Sequence, residues 1–191
     1  MLVVPVYNTL LIPDTTVYCQ KEQLRRNTGD KGITLDQKVI LIVAKNNIKA
    51  GEMKEEDFYP IGISGVITHL DSQGYVAIRT RHRVHLDSVG INEDHSIDLT
   101  LSRRNDIEDL DETVAQTKLD SMIKEMRAFS SGFQWADMAE QYFSQIDSVS
   151  STAAMLSPWL KITNEECYEI LAEDSVAKRT EMLEKILYDF L

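Results

Sequence analysis

The chain has 191 residues, 43% of them hydrophobic and 27% charged, which suffices for one or two globular domains with real cores. Its net charge of −11 lies entirely in residues 106–191, which hold 18 acidic and 7 basic residues, whereas residues 1–105 hold 13 of each. This contrast indicates two physically different modules, and it argues against the phosphate backbone of a nucleic acid as a partner for the acidic one.

The first part of the chain has the pattern of β structure. It opens with the β-rich apolar run Met1–Cys19, in which Pro5 and Pro13 cannot donate to a strand ladder. This run therefore belongs at a sheet edge or is broken by bends. Residues 21–37 have little periodicity and predict a long loop with a turn at residues 27–30, with or without a short helical turn.

A central hairpin is predicted next. Lys38–Ala44 is a short β-branched run typical of a buried strand, and residues 46–57 form a polar connection. Tyr59–Leu70 alternates after its proline and contains Gly62 and Gly65, which indicate a bulge or a close backbone approach. The turn residues 71–74 then join this strand to the next one.

The strand Tyr75–Leu86 alternates without interruption. One face carries Val76, Ile78, Thr80, His82, Val84 and Leu86, and the other carries Tyr75, Ala77, Arg79, Arg81, Arg83 and His85. Three alternate arginines could bind phosphates or an acidic peptide, but we interpret them as the solvated face of an antiparallel strand, which needs no special function. With Tyr75 as the one interleaved aromatic, the pattern does not favour a platform for single-stranded nucleic acid. Residues 96–101 predict a last short strand.

The second part has the pattern of a helical bundle. Helical stripes run over residues 108–129, 135–146 and 148–159, and Ser130–Gly132 stops the first of them. Thr163 and Glu166 form a capping box that opens a short helix, and Asp174 or Ser175 caps the last one. That helix shows no stop signal before Leu191, so we expect the natural protein to continue.

Several residue groups are candidates for sites, and each has a structural interpretation that we prefer. Trp135, Tyr142 and Phe143 lie at helical spacing and are assigned to the core. The acidic cluster of residues 106–112 precedes a helix, where its charge favours the helix dipole, and it lacks the ligand spacing of a calcium loop. The four histidines are scattered over β segments and are interpreted as ordinary surface or half-buried imidazoles rather than metal ligands; these are His69, His82, His85 and His95.

The N-terminal run, with Tyr7-Asn8-Thr9 and the Leu10–Ile12 triplet before Pro13, resembles the opening of the Lon protease N-terminal domain. Three further segments resemble the same family: KVILIVAKNN at residues 38–47, FYPIGISGVITHL at residues 58–70 and YVAIRTRHRVHLDSV at residues 75–89. Residues 151–187 resemble its helical end. Tyr7 stands where the family has arginine, and Asp14 stands where it has glycine after the proline.

The resemblance implies an α+β fold, with a PUA-like β pseudo-barrel over residues 1–105 and an α-helical bundle over residues 106–191. It implies a substrate recognition domain that is not itself catalytic, in a parent protein that is an ATP-dependent serine endopeptidase acting in protein quality control. ATP and Mg, and a ring that is expected to be a hexamer, are implied for that parent beyond Leu191. The implied partners are unfolded or damaged proteins.

A search for catalytic chemistry assigns no catalytic, cofactor-binding or metal-binding residue. The chain contains no glycine-lysine-serine/threonine phosphate loop, and no serine and lysine match the protease module of the family. No apolar run approaches the ~20 residues of a membrane span, and the N-terminus lacks the basic region of a secretory signal. Cys19 and Cys167 are too few and too distant for a disulfide framework. We therefore expect a reduced, cytoplasmic setting and no membrane partner.

Two alternatives stay open at this point. The chain could be a stand-alone adaptor that binds substrate without a protease in the same polypeptide, and a stop codon soon after residue 191 would favour that hypothesis. The weaker alternative is an RNA binder, because PUA-like barrels often bind RNA. The overall acidity of the chain speaks against RNA.

Overall fold

The computed structural model describes residues 1–28 and 32–191 and forms two compact units. The sheet unit comprises Met1–Asn105 and Thr163–Ala172, and the helical unit comprises Asp106–Ile162 and Glu173–Leu191. A mixed sheet is followed by helices, so the predicted α+β class is confirmed. One helix differs from the sequence-based division, because residues 163–172 belong to the sheet unit rather than to the bundle.

Six strands form the sheet, in the order β1-β3-β4-β5-β2, with β6 pairing with β5 beside this path. The strands are β1 (Leu2–Val6), β2 (Thr16–Gln20), β3 (Lys38–Val43), β4 (Ile61–Leu70), β5 (Tyr75–Ile91) and β6 (Ile97–Arg103). β1 pairs in parallel with β3, and all other pairs are antiparallel. Pro5 therefore lies in an edge strand, as its missing N–H predicts.

The two glycines of β4 allow its neighbours to come close. A Cβ atom on Gly62 would lie 2.6 Å from the Leu41 carbonyl oxygen, and one on Gly65 would lie 2.7 Å from Cγ2 of Ile78. The β4–β5 register also shifts between Ile63 and Gly65. The close backbone approach, one of the two predicted alternatives, is confirmed, whereas the extra residue at this register shift lies in the partner strand β5.

The segment predicted as a loop before β3 contains a helix, α1 (Lys21–Thr28). Leu24 is fully buried in the main core cluster and anchors the helix, although the remaining sequence has little apolar periodicity. Of the predicted turn at residues 27–30, Gly29 and Asp30 lie outside the described residues. The polar connection after β3 carries two 3₁₀ turns, Ala50–Glu52 and Glu55–Asp57.

The uninterrupted alternation predicted for β5 is wrong beyond Thr80. β4 pairs Gly65 with Thr80 but Ile63 with Arg83, so the β5 strand contains an extra residue at this point. Because side chains alternate with a period of two, the bulge moves the side chains that follow it to the opposite face, as far as a second register shift between Leu86 and Ser88. Val76 and Ile78 accordingly pack in one core cluster, whereas Val84 and Leu86 pack in the cluster on the other face.

Helix α5 (Asn164–Ala172) packs on the sheet and is held by polar contacts at its start. Nδ2 of Asn164 donates to the Ala44 carbonyl oxygen at 2.9 Å, and its Oδ1 accepts from the Asn8 N–H at 2.8 Å. The Tyr168 ring stacks on Tyr59 with ring centroids 3.9 Å apart. The capping box of Thr163 and Glu166 is confirmed by reciprocal hydrogen bonds of 3.1 and 3.2 Å.

The helical unit contains α2 (Glu112–Ser130), α3 (Ala136–Phe143), α4 (Val149–Leu156) with a 3₁₀ turn at Ser157–Trp159, and α6 (Val176–Phe190). Its apolar interior is formed by one side of each helix. The buried side chains include Leu119, Met122, Met126, Ala139, Phe143, Val149, Ala153, Leu183 and Leu187. In the part of the chain that the structure describes, no helix is long and apolar enough to cross a membrane.

The acidic cluster before α2 caps two helices. Asp111 is the N-cap of α2 and accepts from the N–H groups of Thr113 and Val114, which confirms the interpretation as a helix start. Asp109 instead serves the first turn of α6, where it accepts from Ser175 Oγ at 2.6 Å and from the Ala177 N–H at 2.9 Å. These two hydrogen bonds hold the pKa of Asp109 below its ordinary value.

Candidate functional site

An open apolar groove of about 610 Å³ lies within the helical unit. It is formed by the C-terminal half of α2, by α3, by the end of α4 and by the end of α6. Thirteen side chains line it, and none of these thirteen carries a charge. Six are aromatic and three are methionine: Phe129, Trp135, Tyr142, Phe143, Trp159 and Phe190, with Met126, Met138 and Met155.

Large apolar side chains of this groove stay in contact with water. Trp159 is 64% exposed, Met138 62% and Tyr142 57%. Trp135 is 49% exposed, so the sequence-based assignment of Trp135 and Tyr142 to the core is wrong, and only Phe143 of that trio is buried. A contiguous apolar surface of this kind is typical of an interaction site rather than of scattered surface residues.

A row of ring contacts orders one rim of the groove. The rings of Trp135 and Phe133 stack with centroids 5.0 Å apart, and Phe133 contacts Phe129 at 5.5 Å. Phe129 in turn contacts Phe190 at 6.1 Å. These offset and tilted geometries stabilise aromatic pairs, so four half-exposed rings hold one another in place without an enclosing core.

The apolar residues of α3 and its N-cap Trp135 all line the groove but differ in exposure. Ala139 and Phe143 are four residues apart and form the buried part of this lining. Trp135, Met138 and Tyr142 are spaced by three and four residues and form its exposed part. An apolar face this wide on a short helix exceeds what a single interior can bury. This is the sequence signal that the assignment to the core overlooked.

An ion pair joins α2 to α3 beside the groove. Nε of Arg127 lies 3.0 Å from both carboxylate oxygens of Glu140. Hydrogen bonding to this guanidinium lowers the pKa of the Glu140 carboxyl group. Because both side chains are about half exposed, the pair fixes the geometry of the rim more than it stabilises the fold.

The groove is suited to hold apolar side chains of varied shape. Methionine is unbranched and polarisable, so Met126, Met138 and Met155 can adapt to different partners. The indole and phenol groups of Trp159 and Tyr142 add rigid apolar area with a polar edge. Because no lining side chain is charged, the groove has no side chain that would pair with an ion. Its apolar side chains are suited to bind an apolar polypeptide segment.

The other candidate residues lie elsewhere and do not converge on one site. Arg83 is buried, which corrects its assignment to a solvated face, while Arg79 is half-buried and Arg81 is exposed. His82 and His85 are exposed and half-buried imidazoles as predicted, and the Nδ1 atom of His85 lies 2.9 Å from the Asp87 carboxylate. Within residues 1–28 and 32–191, no group of three or more His, Cys, Asp or Glu side chains is arranged to hold a metal ion.

Comparison with known proteins identifies the family. The sequence model of the ATP-dependent protease La (LON) substrate-binding domain matches residues 1–189. The chain belongs to the LON substrate-binding domain family. A Lon protease of Clostridium beijerinckii is 24% identical over 180 residues, which are 93% of this chain but only 22% of that protein. The chain thus spans about a fifth of the length of this curated relative.

Two solved structures show that this LON substrate-binding domain shares its fold with distant relatives. The N-terminal domain of a Mycobacterium avium complex Lon protease superposes with a TM-score of 0.63 at 14% identity, covering 100% of this chain and 98% of that one. A Lon N-terminal domain protein from Xanthomonas campestris superposes with a TM-score of 0.53 at 16% identity, covering 96% and 95%. At these identities the comparison concerns the fold and not individual residues.

Proposed function

We propose that this domain is the substrate recognition and engagement part of an ATP-dependent Lon-type serine protease, and that it performs no catalysis itself. The observation that carries the proposal is the uncharged groove in which exposed aromatic and methionine side chains converge. Such a surface matches the apolar side chains that an unfolded or damaged protein exposes. The family to which the chain belongs is named for substrate binding, which supports the same role.

Engagement at one groove is weak and reversible. Burying one large apolar side chain contributes about 1.5–3 kcal/mol, and the loss of freedom in a flexible segment offsets much of that gain. Several domains held together in the ring of the parent protein, which we expect to be a hexamer, would bind one substrate at several points and raise the overall affinity. ATP and Mg act in other modules of that parent, in the cytoplasm, where unfolding and peptide cleavage take place.

The proposal is tested by binding of an unfolded protein to groove variants. The probe is fluorescein-labelled α-lactalbumin, reduced and blocked with iodoacetamide so that it cannot refold, followed by anisotropy in 150 mM salt. The double variant W135S/W159S removes two half-exposed rings and should weaken binding at least tenfold. Tyr18→Ser removes a ring that is 72% exposed in the sheet unit, and it should change the affinity less than twofold.

Equal affinity of the wild-type chain and W135S/W159S would overturn the assignment of the groove. Hydrolysis of ATP or cleavage of casein by the purified 191-residue chain would overturn the non-catalytic role. Reading the coding sequence beyond residue 191 separates the protease parent from the stand-alone adaptor: a phosphate loop within a few hundred codons supports the first, and a stop codon supports the second.

A further inference from the structure

Among the strands that the structure describes, β6 is paired along one of its two edges. The 17-residue strand β5 pairs with β2 through residues 75–79 and with β6 through residues 84–91, so these two strands share one edge of β5. Among the described strands β6 pairs with β5 alone. The opposite edge of β6 therefore presents backbone groups that the sheet does not use.

The hydrogen bonds between β5 and β6 show which residues of β6 direct their backbone groups away from β5. Arg104 N–H donates to the Arg83 carbonyl oxygen at 3.0 Å, and Asn92 N–H donates to the Ser96 carbonyl oxygen at 2.9 Å. In an antiparallel pair, residues alternate between positions that bond to the partner strand and positions that point away from it. The outward positions of β6 are consequently Ile97, Leu99, Leu101 and Arg103.

Each of these four residues directs its N–H and C=O away from β5. No acceptor within residues 1–28 and 32–191 takes any of the four N–H groups. β1 approaches β6 without pairing with it. Of the four outward residues, Ile97 is buried, Leu99 and Leu101 are partly buried and Arg103 is exposed. Solvent therefore reaches this edge of β6 over residues 99–103.

The other two edges of the sheet are better covered. All five residues of β1 are buried, and α1 packs against both β1 and β2. Along β6, by contrast, Leu99 and Leu101 are only partly buried at the border of the core cluster that contains Val84 and Leu86. An added strand would find the outward N–H and C=O groups of Leu99, Leu101 and Arg103, and an apolar border on this side of β6.

We propose that the free edge of β6 binds an extended polypeptide segment by strand addition, as a second attachment point for the unfolded proteins that the groove engages. The inference rests on the proposed function. Backbone hydrogen bonds are common to every polypeptide, so this contact holds substrates of any sequence that can extend. Segments with apolar side chains at alternate positions gain further contact with Leu99 and Leu101.

Hydrogen exchange of the wild-type chain tests the proposal directly. We expect saturating iodoacetamide-blocked α-lactalbumin to slow the exchange of up to three backbone amides within residues 97–103, while the amides of β5 that bond to β6 keep their exchange rates. Unchanged exchange in residues 97–103 at saturation overturns the proposal. Protection that appears without substrate, together with dimers in sedimentation equilibrium, also overturns it, because a second copy of the chain would then occupy the edge.

A matched pair of variants supplies a second test. Leu101→Pro removes an outward N–H without breaking a bond to β5, and proline is tolerated at such edge positions. Leu101→Ala shortens the side chain equally but keeps the N–H. We expect the proline variant to bind at least fivefold more weakly than the alanine variant, and equal affinity contradicts strand addition.

Failure of this inference can be told apart from failure of the proposed function. If binding depends on Trp135 and Trp159 but the amides of residues 97–103 are not protected from exchange, strand addition is wrong and the groove assignment stands. If the chain does not bind the blocked protein at all, both the proposed function and the strand-addition site are wrong.

Discussion

The guanidinium of Arg83 donates from Nη1 to the backbone carbonyl oxygen of Leu171, 3.1 Å away in the last turn of α5. Carbonyl groups at the end of a helix have no partner within it, and a cation there also interacts favourably with the helix dipole. Nη2 of the same side chain donates to the Asn105 carbonyl oxygen at 3.1 Å. A single buried arginine therefore joins β5, α5 and the end of the first chain segment of the sheet unit.

Replacing Arg83 with methionine keeps the apolar stem and removes these donors. We expect the free energy of unfolding to fall by about 2–4 kcal/mol, because buried carbonyl groups lose charged partners. Denaturant unfolding followed by the circular dichroism of the sheet measures the change. Arg81→Met, two residues away and exposed, should stay within about 0.5 kcal/mol. Similar values for the two variants would show that the Arg83 contacts contribute nothing.

The Arg83 site shows where reading β5 from its sequence fails. Strict alternation places Arg79, Arg81 and Arg83 on one face of β5. This prediction agrees with the structure as far as Thr80. The bulge opposite Ser64 then inserts one residue, and no feature of the β5 sequence itself marks it. Glycines in the partner strand β4 indicated an irregularity in the correct region, but they did not show which strand would carry the extra residue.

Glycine 62 cannot carry a side chain without moving the backbone. A Cβ atom there would meet the Leu41 carbonyl oxygen at 2.6 Å, and Leu41 belongs to the interior strand β3. We expect Gly62→Ala to cost about 1–3 kcal/mol of unfolding free energy. Gly132→Ala is the control, because nothing lies within 4 Å of its Cβ position, and it should change stability by less than about 0.5 kcal/mol. A Gly62→Ala variant as stable as the control would refute the close approach.

Both cysteines should be unreactive in the native protein. Burial raises the pKa of Cys19 to about 11, and burial together with the nearby Glu166 charge raises that of Cys167 to about 11. At pH 8 only roughly 0.1% of each thiol is then ionised, and the thiolate is the reactive form. Ellman's reagent should detect almost no reactive thiol in the native chain and two thiols per chain in guanidinium chloride. Rapid, complete reaction under native conditions would contradict this burial.

Asp109 should contribute to the acid sensitivity of the helical unit. Its pKa is lowered in the folded state, chiefly by the hydrogen bond from Ser175. Its contribution to stability is therefore present above the ordinary pKa of an aspartate, and it is lost as the pH falls through the lower, folded value. Asp109→Asn should make the unfolding free energy less dependent on pH below 5, whereas replacing the exposed neighbour by Glu108→Gln should leave the profile unchanged. An identical profile for Asp109→Asn and the wild-type chain would exclude this role.

Local signals predicted most of the fold because they act over a few residues. The capping box of Thr163 and Glu166, the N-cap Ser175 and the edge position of Pro5 each follow from one backbone requirement. The helix α1 and the placement of α5 on the sheet depend on long-range packing, such as the burial of Leu24 and the bonds of Asn164, which no local pattern contains. The groove was missed for a related reason, since helical spacing alone does not distinguish a buried stripe from an exposed one.

Photo-crosslinking tests the central claim, substrate engagement at the groove, most directly. Iodoacetamide-blocked α-lactalbumin in which leucine is replaced by photo-leucine would be irradiated with the wild-type chain, and the adducts mapped by mass spectrometry. We predict that adducts concentrate on the exposed groove side chains Met138, Tyr142 and Trp159 and disappear when unlabelled blocked protein is added in excess. Adducts confined to residues 1–105, with none on these three side chains, would contradict the account.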